Sequence, residues 1–174
     1  YISKVDEENA DYNVTFNALR ERYGNRIAPV VVPIWDDNHK VTGIIDVLNK
    51  RAFEMQNLKR VEIPVPEGKE SVITEFNDAL KESVAETSDE FMDKFFGGED
   101  FTYAEMIKGL HTGVVTRTLF PVLCGSGVTC LGSLMLMDHI LDLFPNPVEG
   151  NYHKATTADG KTEEFVVSPG GVPA

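Results

Sequence analysis

Thr118-Leu119-Phe120-Pro121-Val122-Leu123-Cys124-Gly125-Ser126-Gly127 begins as a short apolar run and closes on four small residues. A run of this length, bounded by turn formers, reads as a buried strand. The Cys-Gly-Ser-Gly that follows leaves backbone N–H groups bare enough for close approach to a ligand. Beyond it, Leu131–Phe144 is a strongly apolar helical segment stopped by Pro145. Strand, tight loop and helix in that order make one unit of an α/β fold.

The start of the chain carries a matching arrangement. Ile2-Ser3-Lys4-Val5-Asp6 reads as a strand end, followed by a polar turn and an amphipathic helix. In that helix Val14, Ala18 and Leu19 recur at helical spacing, Tyr12, Phe16 and Tyr23 lie nearby, and Gly24 is the stop. A Lys-x-Asp at a strand end suits guanine for a stereochemical reason. An ionised carboxylate accepts only, and its two oxygens match the N1–H and exocyclic N2–H of the base. The lysine stem can lie over the ring.

Between these ends the pattern changes twice. Pro29–Trp35 (PVVVPIW), Val41–Met55 and Val61–Val65 are β-rich, and the polar Asp36–Lys40 makes a hairpin connection. Prolines 29, 33, 64 and 66 belong at strand starts or sheet edges. Residues 70–96 return to the helical period, with Val72, Phe76, Ala79, Leu80 and Val84 as the apolar face. Glu75, Asp78, Glu82 and Glu86 fall in one stripe roughly opposite. Thr87-Ser88-Asp89-Glu90 has capping-box spacing and predicts a second helix, carrying Phe91, Met92, Phe95 and Phe96 inward to a stop at Gly97-Gly98. Thr102 with Glu105 predicts another box, opening a helix to about Thr116. Residues 146–174 read as a Pro/Gly-rich linker around one strand, Glu164–Val167.

The chain has 174 residues, 42% of them hydrophobic, which is too apolar for a disordered acidic tail. Its formal charge of −12 excludes an overall basic footprint on nucleic acid. The charge is concentrated: residues 62–100 hold 12 acidic and 3 basic side chains, so a partner of that segment is expected to be basic. No stretch approaches the ~18 apolar residues of a membrane helix, and no signal peptide opens the chain, so a cytoplasmic protein is expected. Tyr1 stands directly before a strand end, as in a piece of a longer protein.

Other constellations carry less. Cys124 and Cys130 are too few for a disulfide framework and are not spaced for zinc. Asp36, Asp37 and His39 have the composition of any polar hairpin tip, so no metal is expected there. Nothing in the sequence brings His111 or His139 to Cys124 as the base of a thiol nucleophile, and His139 lies on an apolar helix. No catalytic residue is assigned.

SKVDEENADY at residues 3–12, taken with FPVLCGSG and the LGSLMLMDHILDLFPNP helix, resembles the translational GTPases, specifically elongation factor G and its close paralogues. The family reads guanine with Asn-Lys-x-Asp before an acidic, Asn-Ala-Asp-containing helix start. It makes a second base contact through Ser-Ala after Cys-Gly. VTGIIDVLNKRAF is similar to a Gly-Val-Ile-Asp-Leu strand of the family's insertion, and ITEFNDALKESVAETSDEFMDKFF to its acidic helix pair. The resemblance covers nearly all of residues 1–147. It implies part of a P-loop-type G domain (1–28 and 118–145), an inserted α+β subdomain (29–117), and a linker toward a following domain (146–174). It further implies that Ser3, Lys4, Asp6, Ser126 and Gly127 contact the base of GTP or GDP. Glu75, Asp78 and Glu82 would dock the C-terminal domain of the ribosomal stalk protein, in a parent that binds the ribosome and promotes translocation of tRNA and mRNA. No direct nucleic-acid contact is expected from this segment.

The departures are specific. Ser3 stands where the family has Asn, Gly127 where it has Ala, and Thr129-Cys130 where Lys-Asn often follows, which implies a divergent paralogue. A GTPase also needs a Gly-x4-Gly-Lys-Ser/Thr loop, a magnesium-binding Thr and an Asp-x-x-Gly switch. None of these is in the sequence, and the lookalike Gly160-Lys161-Thr162 has Ala155 at the position of the first glycine. This segment alone should not hydrolyse GTP, and magnesium belongs to the longer parent. The alternatives are a non-hydrolysing module that binds a basic partner, and a ribosomal-protection relative that dislodges an antibiotic.

Overall fold

The computed structural model describes residues 1–36, 38–149 and 153–165. In it, the apolar run Pro29–Trp35 does not form one strand. Ile27–Pro29 (β1) pairs in parallel with Phe120–Val122 (β6), whereas Val31–Trp35 (β2) pairs antiparallel with Val41–Asp46 (β3). Val30 is the joint. Its N–H donates to the Val122 carbonyl at 2.9 Å, and its carbonyl accepts from the Val47 N–H at 3.0 Å. One fully buried residue thus belongs to both sheets, a division that a run of valines cannot announce.

The antiparallel sheet continues through Arg51–Gln56 (β4) to Lys59–Ile63 (β5), in the order β2-β3-β4-β5. The expected Val41–Met55 run is therefore two strands joined by a turn. Pro33, which lacks an N–H, sits on edge strand β2, where its missing donor costs no ladder bond with an outer neighbour. Asp46 closes β3 with its own carboxylate. Oδ1 accepts from the N–H groups of Leu48 (3.0 Å) and Asn49 (3.3 Å), and Oδ2 from Asn49 Nδ2 (2.7 Å).

Asp11 caps the first helix, Tyr12–Tyr23 (α1), by accepting from Val14 N–H at 3.0 Å, and Gly24 ends it at φ +68°. Its buried face is Tyr12 and Phe16, not the expected Val14 and Ala18; Val14 is 66% exposed. The aromatic rings decide this. Tyr12 and Phe16, one turn apart, stack at 5.6 Å and meet Trp35 and Phe76 edge-on or tilted at 5.5–6.2 Å.

Glu70–Ala85 (α2) buries Ile73, Asn77, Leu80 and Val84 and packs against β1 and the next two helices, Asp89–Phe96 (α3) and Tyr103–Thr116 (α4). Buried Asn77 is not a defect, because its Nδ2 donates to the Val47 carbonyl at 3.0 Å. Helix α3 is capped by Ser88, whose Oγ accepts from Phe91 N–H, rather than by the expected Thr87. Phe91 points inward and meets Phe101 edge-on at 5.6 Å, whereas Phe96, at 79% exposure, faces out. A helix of two turns has room for one inward aromatic row, not four separate anchors.

The Thr102–Glu105 box forms as expected. Thr102 Oγ1 accepts from Glu105 N–H at 3.3 Å, and Glu105 Oε2 accepts from Thr102 N–H at 2.7 Å. Lys94 of α3 donates to Glu105 Oε1 at 2.7 Å, tying the two helices together. That ammonium first, and the Thr102 donors second, hold the Glu105 carboxyl down from 4.5 to about 2. A depressed carboxylate stabilises the fold above its unfolded value and loses that contribution as pH falls through the folded one. Amide protection at the start of α4 is therefore expected to fall between pH 4.5 and about 2, and Glu105→Gln to remove that dependence. Hydrogen exchange against pH checks it, and identical profiles for the two proteins would refute it.

The helix after β6 is Ser133–Leu143 (α5), with Met135, His139 and Leu143 buried. Residues 1–143 form one compact unit and 144–174 another. The second unit contains a hairpin, His153–Thr156 (β7) paired antiparallel with Thr162–Phe165 (β8), in place of the expected linker with one strand. Val166 and Val167 of the expected strand lie outside the described residues. Gly160-Lys161-Thr162 forms part of the hairpin turn and the start of β8, with Gly160 at φ +82°.

Candidate functional site

Ile2 and Cys124 form a parallel bridge on the side of β6 away from β1. Ile2 N–H donates to the Leu123 carbonyl at 2.8 Å, and Gly125 N–H donates to the Ile2 carbonyl at 3.1 Å. Three parallel segments thus end together, and the chain leaves two of them as the Ser3–Asp6 turn and the Gly125–Gly127 loop. Val5 N–H donates to the Gly125 carbonyl at 3.4 Å, so the two loops touch. The carboxyl ends of parallel strands are where open α/β sheets hold ligands.

Within the first loop Val5 is the buried anchor. Ser3 and Lys4 are exposed and Asp6 is half-buried. Lys4 has φ +59°, a left-handed conformation that sets its side chain apart from the strand. Two consecutive turns follow, with Glu7 N–H on the Lys4 carbonyl (3.2 Å) and Ala10 N–H on that of Glu7 (3.0 Å), and they deliver the chain to the Asp11 cap.

In the second loop Ser126 is 1% exposed and builds the loop. Its Oγ accepts from the N–H groups of Val128 (3.1 Å) and Thr129 (3.2 Å), while its own N–H donates to the Leu131 carbonyl at 2.9 Å. Gly127 at the tip is exposed, and a Cβ added there would meet nothing within 4 Å. The loop therefore has room for the alanine that the resemblance expects. Gly132 does not share that freedom: at φ +79° it lies under the Cys124 carbonyl.

The acidic stripe on α2 is divided. Glu75 and Asp78 are exposed, with Asp78 3.8 Å from Lys81. Glu82 turns toward α1, where Arg20 lies 3.4 Å away, and Glu86 accepts from Asn25 Nδ2 at 3.1 Å. Glu75 stands at the rim of a groove of about 330 Å³ between α1 and α2, floored by Phe16, Val72, Phe76 and Ala79. The spacing on one helix could reveal the stripe; the cation that neutralises part of it, 62 residues away, could not be found that way.

The other constellations stay apart. Asp36 Oδ1 accepts from Asn38 and Lys40 N–H groups at 2.9 Å and so builds its turn, while Asp37 lies outside the described residues. Among the described residues no three His, Cys, Asp or Glu side chains converge as a metal requires. Cys124 is fully buried, and burial pushes its thiol far up, into the protonated form that is no nucleophile. No helix among the described residues is long and apolar enough to cross a membrane.

No protein-family model matches the chain. Over 171 residues, 97% of its length, it is 31% identical to an elongation factor G-like protein of Thermotoga maritima. The chain is similar to a segment of an elongation factor G-like protein. It spans 24% of that relative's length. A crystal structure of a Thermus thermophilus protein superposes with a TM-score of 0.76 at 30% identity, over 85% of this chain and 22% of the other. The mixed fold, with its short parallel sheet and its antiparallel sheet, agrees with part of a G domain carrying an inserted subdomain.

Proposed function

We propose that this segment supplies the base-reading side of a guanine-nucleotide site to a ribosome-dependent elongation GTPase. In this reading residues 1–28 and 118–145 are the last part of its G domain, residues 29–117 are the inserted subdomain, and residues 146–174 lead to the next domain. The observation that carries it is the contact between the Ser3–Asp6 turn and the Gly125–Gly127 loop at the ends of adjacent parallel segments.

The chemistry follows from the parts. Asp6 accepts N1–H and N2–H of guanine, and adenine, which lacks both donors, leaves the carboxylate unpaired. Lys4 lays its methylenes over the base. Gly127 offers its backbone N–H to the purine O6, and Ser126 holds that loop from inside through its hydroxyl. Ser3, shorter than asparagine, leaves more of the loop's support to Val5. Phosphate and magnesium contacts of GTP or GDP would come from the rest of the longer protein, which would couple hydrolysis to translocation in the cytoplasm.

The same reading gives the groove between α1 and α2 a partner. Glu75 borders an apolar floor, and Asp78 is exposed on the same helix while Glu82 faces Arg20, an arrangement that suits a basic ribosomal stalk domain bearing an apolar anchor. Carboxylates at the rim act chiefly on the encounter rate and on salt dependence.

Asp6→Asn in the full-length protein tests the first part. Its preference is expected to move from guanosine to xanthosine diphosphate, because the amide can donate to the O2 of xanthine. An unchanged preference for guanine would remove Asp6 from the site. Reversing the charges of Glu75, Asp78 and Glu82 tests the second; stalk binding that stays equally tight and equally salt-dependent would exclude docking here.

A further inference from the structure

We propose that the open edge of β5 joins two copies of this chain, antiparallel and in register about Val61. The joint uses the antiparallel sheet alone and does not depend on the guanine reading.

The two ends of that sheet differ chemically. At one end lies β2, where Pro33 interrupts the row of N–H donors that an added strand would need. At the other, β5 has no proline from Lys59 to Ile63, and among the described residues no strand lies beyond it. The β4–β5 turn fixes which backbone groups are left over. Asn57 and Leu58, at φ +50° and +61°, make a two-residue turn, so the flanking Gln56 and Lys59 are a hydrogen-bonded pair. Pairing alternates along a hairpin, so Val61 and Ile63 also bond inward, to Glu54 and Ala52. The N–H and C=O groups of Arg60 and Glu62 therefore point out from the edge.

That edge is complementary to itself. With a second β5 laid antiparallel about Val61, each Arg60 lies opposite the second copy's Glu62, and each such pair exchanges both backbone hydrogen bonds. A slip by one residue would turn these groups away from one another. The next registers that keep the hydrogen bonds set Arg60 against Arg60 or Glu62 against Glu62, like charges that repel across a ladder.

Charged side chains on an edge strand usually hold other strands off. Here the two signs alternate, and each charge already has a partner. Arg60 donates to Asp138 Oδ2 at 2.5 Å, and Arg51 donates through Nε to Glu62 at 2.8 Å, with a second contact from Nη2 to the same carboxylate. Joining two edges extends these pairs into one line of alternating sign: Arg51, Glu62, then the second copy's Arg60 and Asp138. The Arg60 and Glu62 side chains are 34% and 48% exposed, so they are free to meet a facing strand. On the other face Val61 meets its own counterpart, and the Lys59 stem lies along the second copy's Ile63. Val61 and Ile63 are only half-buried in a single chain. A five-residue edge spans about 17 Å and covers less than the ~1,200 Å² of a standard interface, so a weak dimer is expected.

Sedimentation velocity of the complete chain, from about 10 µM to about 1 mM, is expected to show a monomer passing reversibly into a dimer. Arg60→Glu and Glu62→Arg each set like charges opposite one another across the joint, and each is expected to weaken association about tenfold or more. Mixed in equal amounts, the two variants restore opposite charges at both positions and are expected to pair as the parent does. Unfolding midpoints verify that each variant keeps the fold. Val61→Cys tests the register without any change of charge. Its thiols would stand on directly opposed residues, about 4.5 Å apart at Cα, within reach of a disulfide. Lys59→Cys would leave them about 14 Å apart. Oxidised glutathione is expected to cross-link the first variant and not the second, with the parent, whose own Cys130 is half-buried, as the baseline. A monomer throughout the range, charge variants that associate like the parent, a mixture no stronger than its components, or equal cross-linking at positions 59 and 61 would each overturn the proposal.

Discussion

Gly132→Ala is expected to melt far below the parent chain. At φ +79° an L side chain is strained by about 1–2 kcal/mol. Here its Cβ would also fall well inside van der Waals contact with the Cys124 carbonyl oxygen, and 3.2 Å from Gly125 Cα. Both are backbone atoms of the strand end that carries the Gly125–Gly127 loop, so no side chain can swing aside. Overpacking of this kind adds about 1–3 kcal/mol. The sum, about 2–5 kcal/mol, lowers the midpoint by about 4–20 °C in a chain of this size. Gly68 supplies the control: it has the same φ of +79°, but a Cβ there meets nothing within 4 Å. Gly68→Ala should lose only the backbone share. If the two variants melted alike, the packing of Gly132 beneath the loop would be wrong. The clash also displaces Cys124 and Gly125, so Gly132→Ala should disturb the amide resonances of residues 124–127, whereas Gly68→Ala should leave them alone.

Leu80→Ala carries the second large effect. Leu80 is 0% exposed on the face of α2 that packs against β1, α3 and α4. Truncating it removes apolar surface and leaves a void that rigid neighbours cannot fill, at a cost of about 2–5 kcal/mol. Asn77, one turn earlier, is hydrogen-bonded to the Val47 carbonyl and keeps α2 from sliding in to close the gap. Urea unfolding followed by the fluorescence of Trp35, the chain's one tryptophan, reads this directly. The midpoint should fall while the slope is kept. A loss below ~1 kcal/mol would mean that α2 is not seated on the core as described.

The parts legible in the sequence are those settled within a few residues. The Thr102–Glu105 box, the Gly24 stop and the inward Leu80 and Val84 follow from spacing alone. The two loops of the candidate site are legible as a pair, because each is a strand end followed by turn residues and a helix. What escapes is set by partners far along the chain. Val30 divides its apolar run because Val122 and Val47 claim its two backbone groups. Val14 and Ala18 lose the inner face of α1 to Tyr12 and Phe16 because Trp35 and Phe76 are waiting for the aromatic rings. Ser126 has the composition of a ligand-contacting hydroxyl, yet the amides of Val128 and Thr129 capture it.

The Val30 joint also bears on the order in which the chain folds. Pairing Ile27 with Phe120 and Ile2 with Cys124 closes loops of about 90 and about 120 residues, whose entropy must be spent before the parallel contacts return anything. The antiparallel strands between them need only hairpin closures, and α2 to α4 only neighbouring turns. Local pairing therefore comes first and shortens the distance that the parallel segments must cross. The loops that would hold a nucleotide are assembled last, and by the same reasoning they are the first to open.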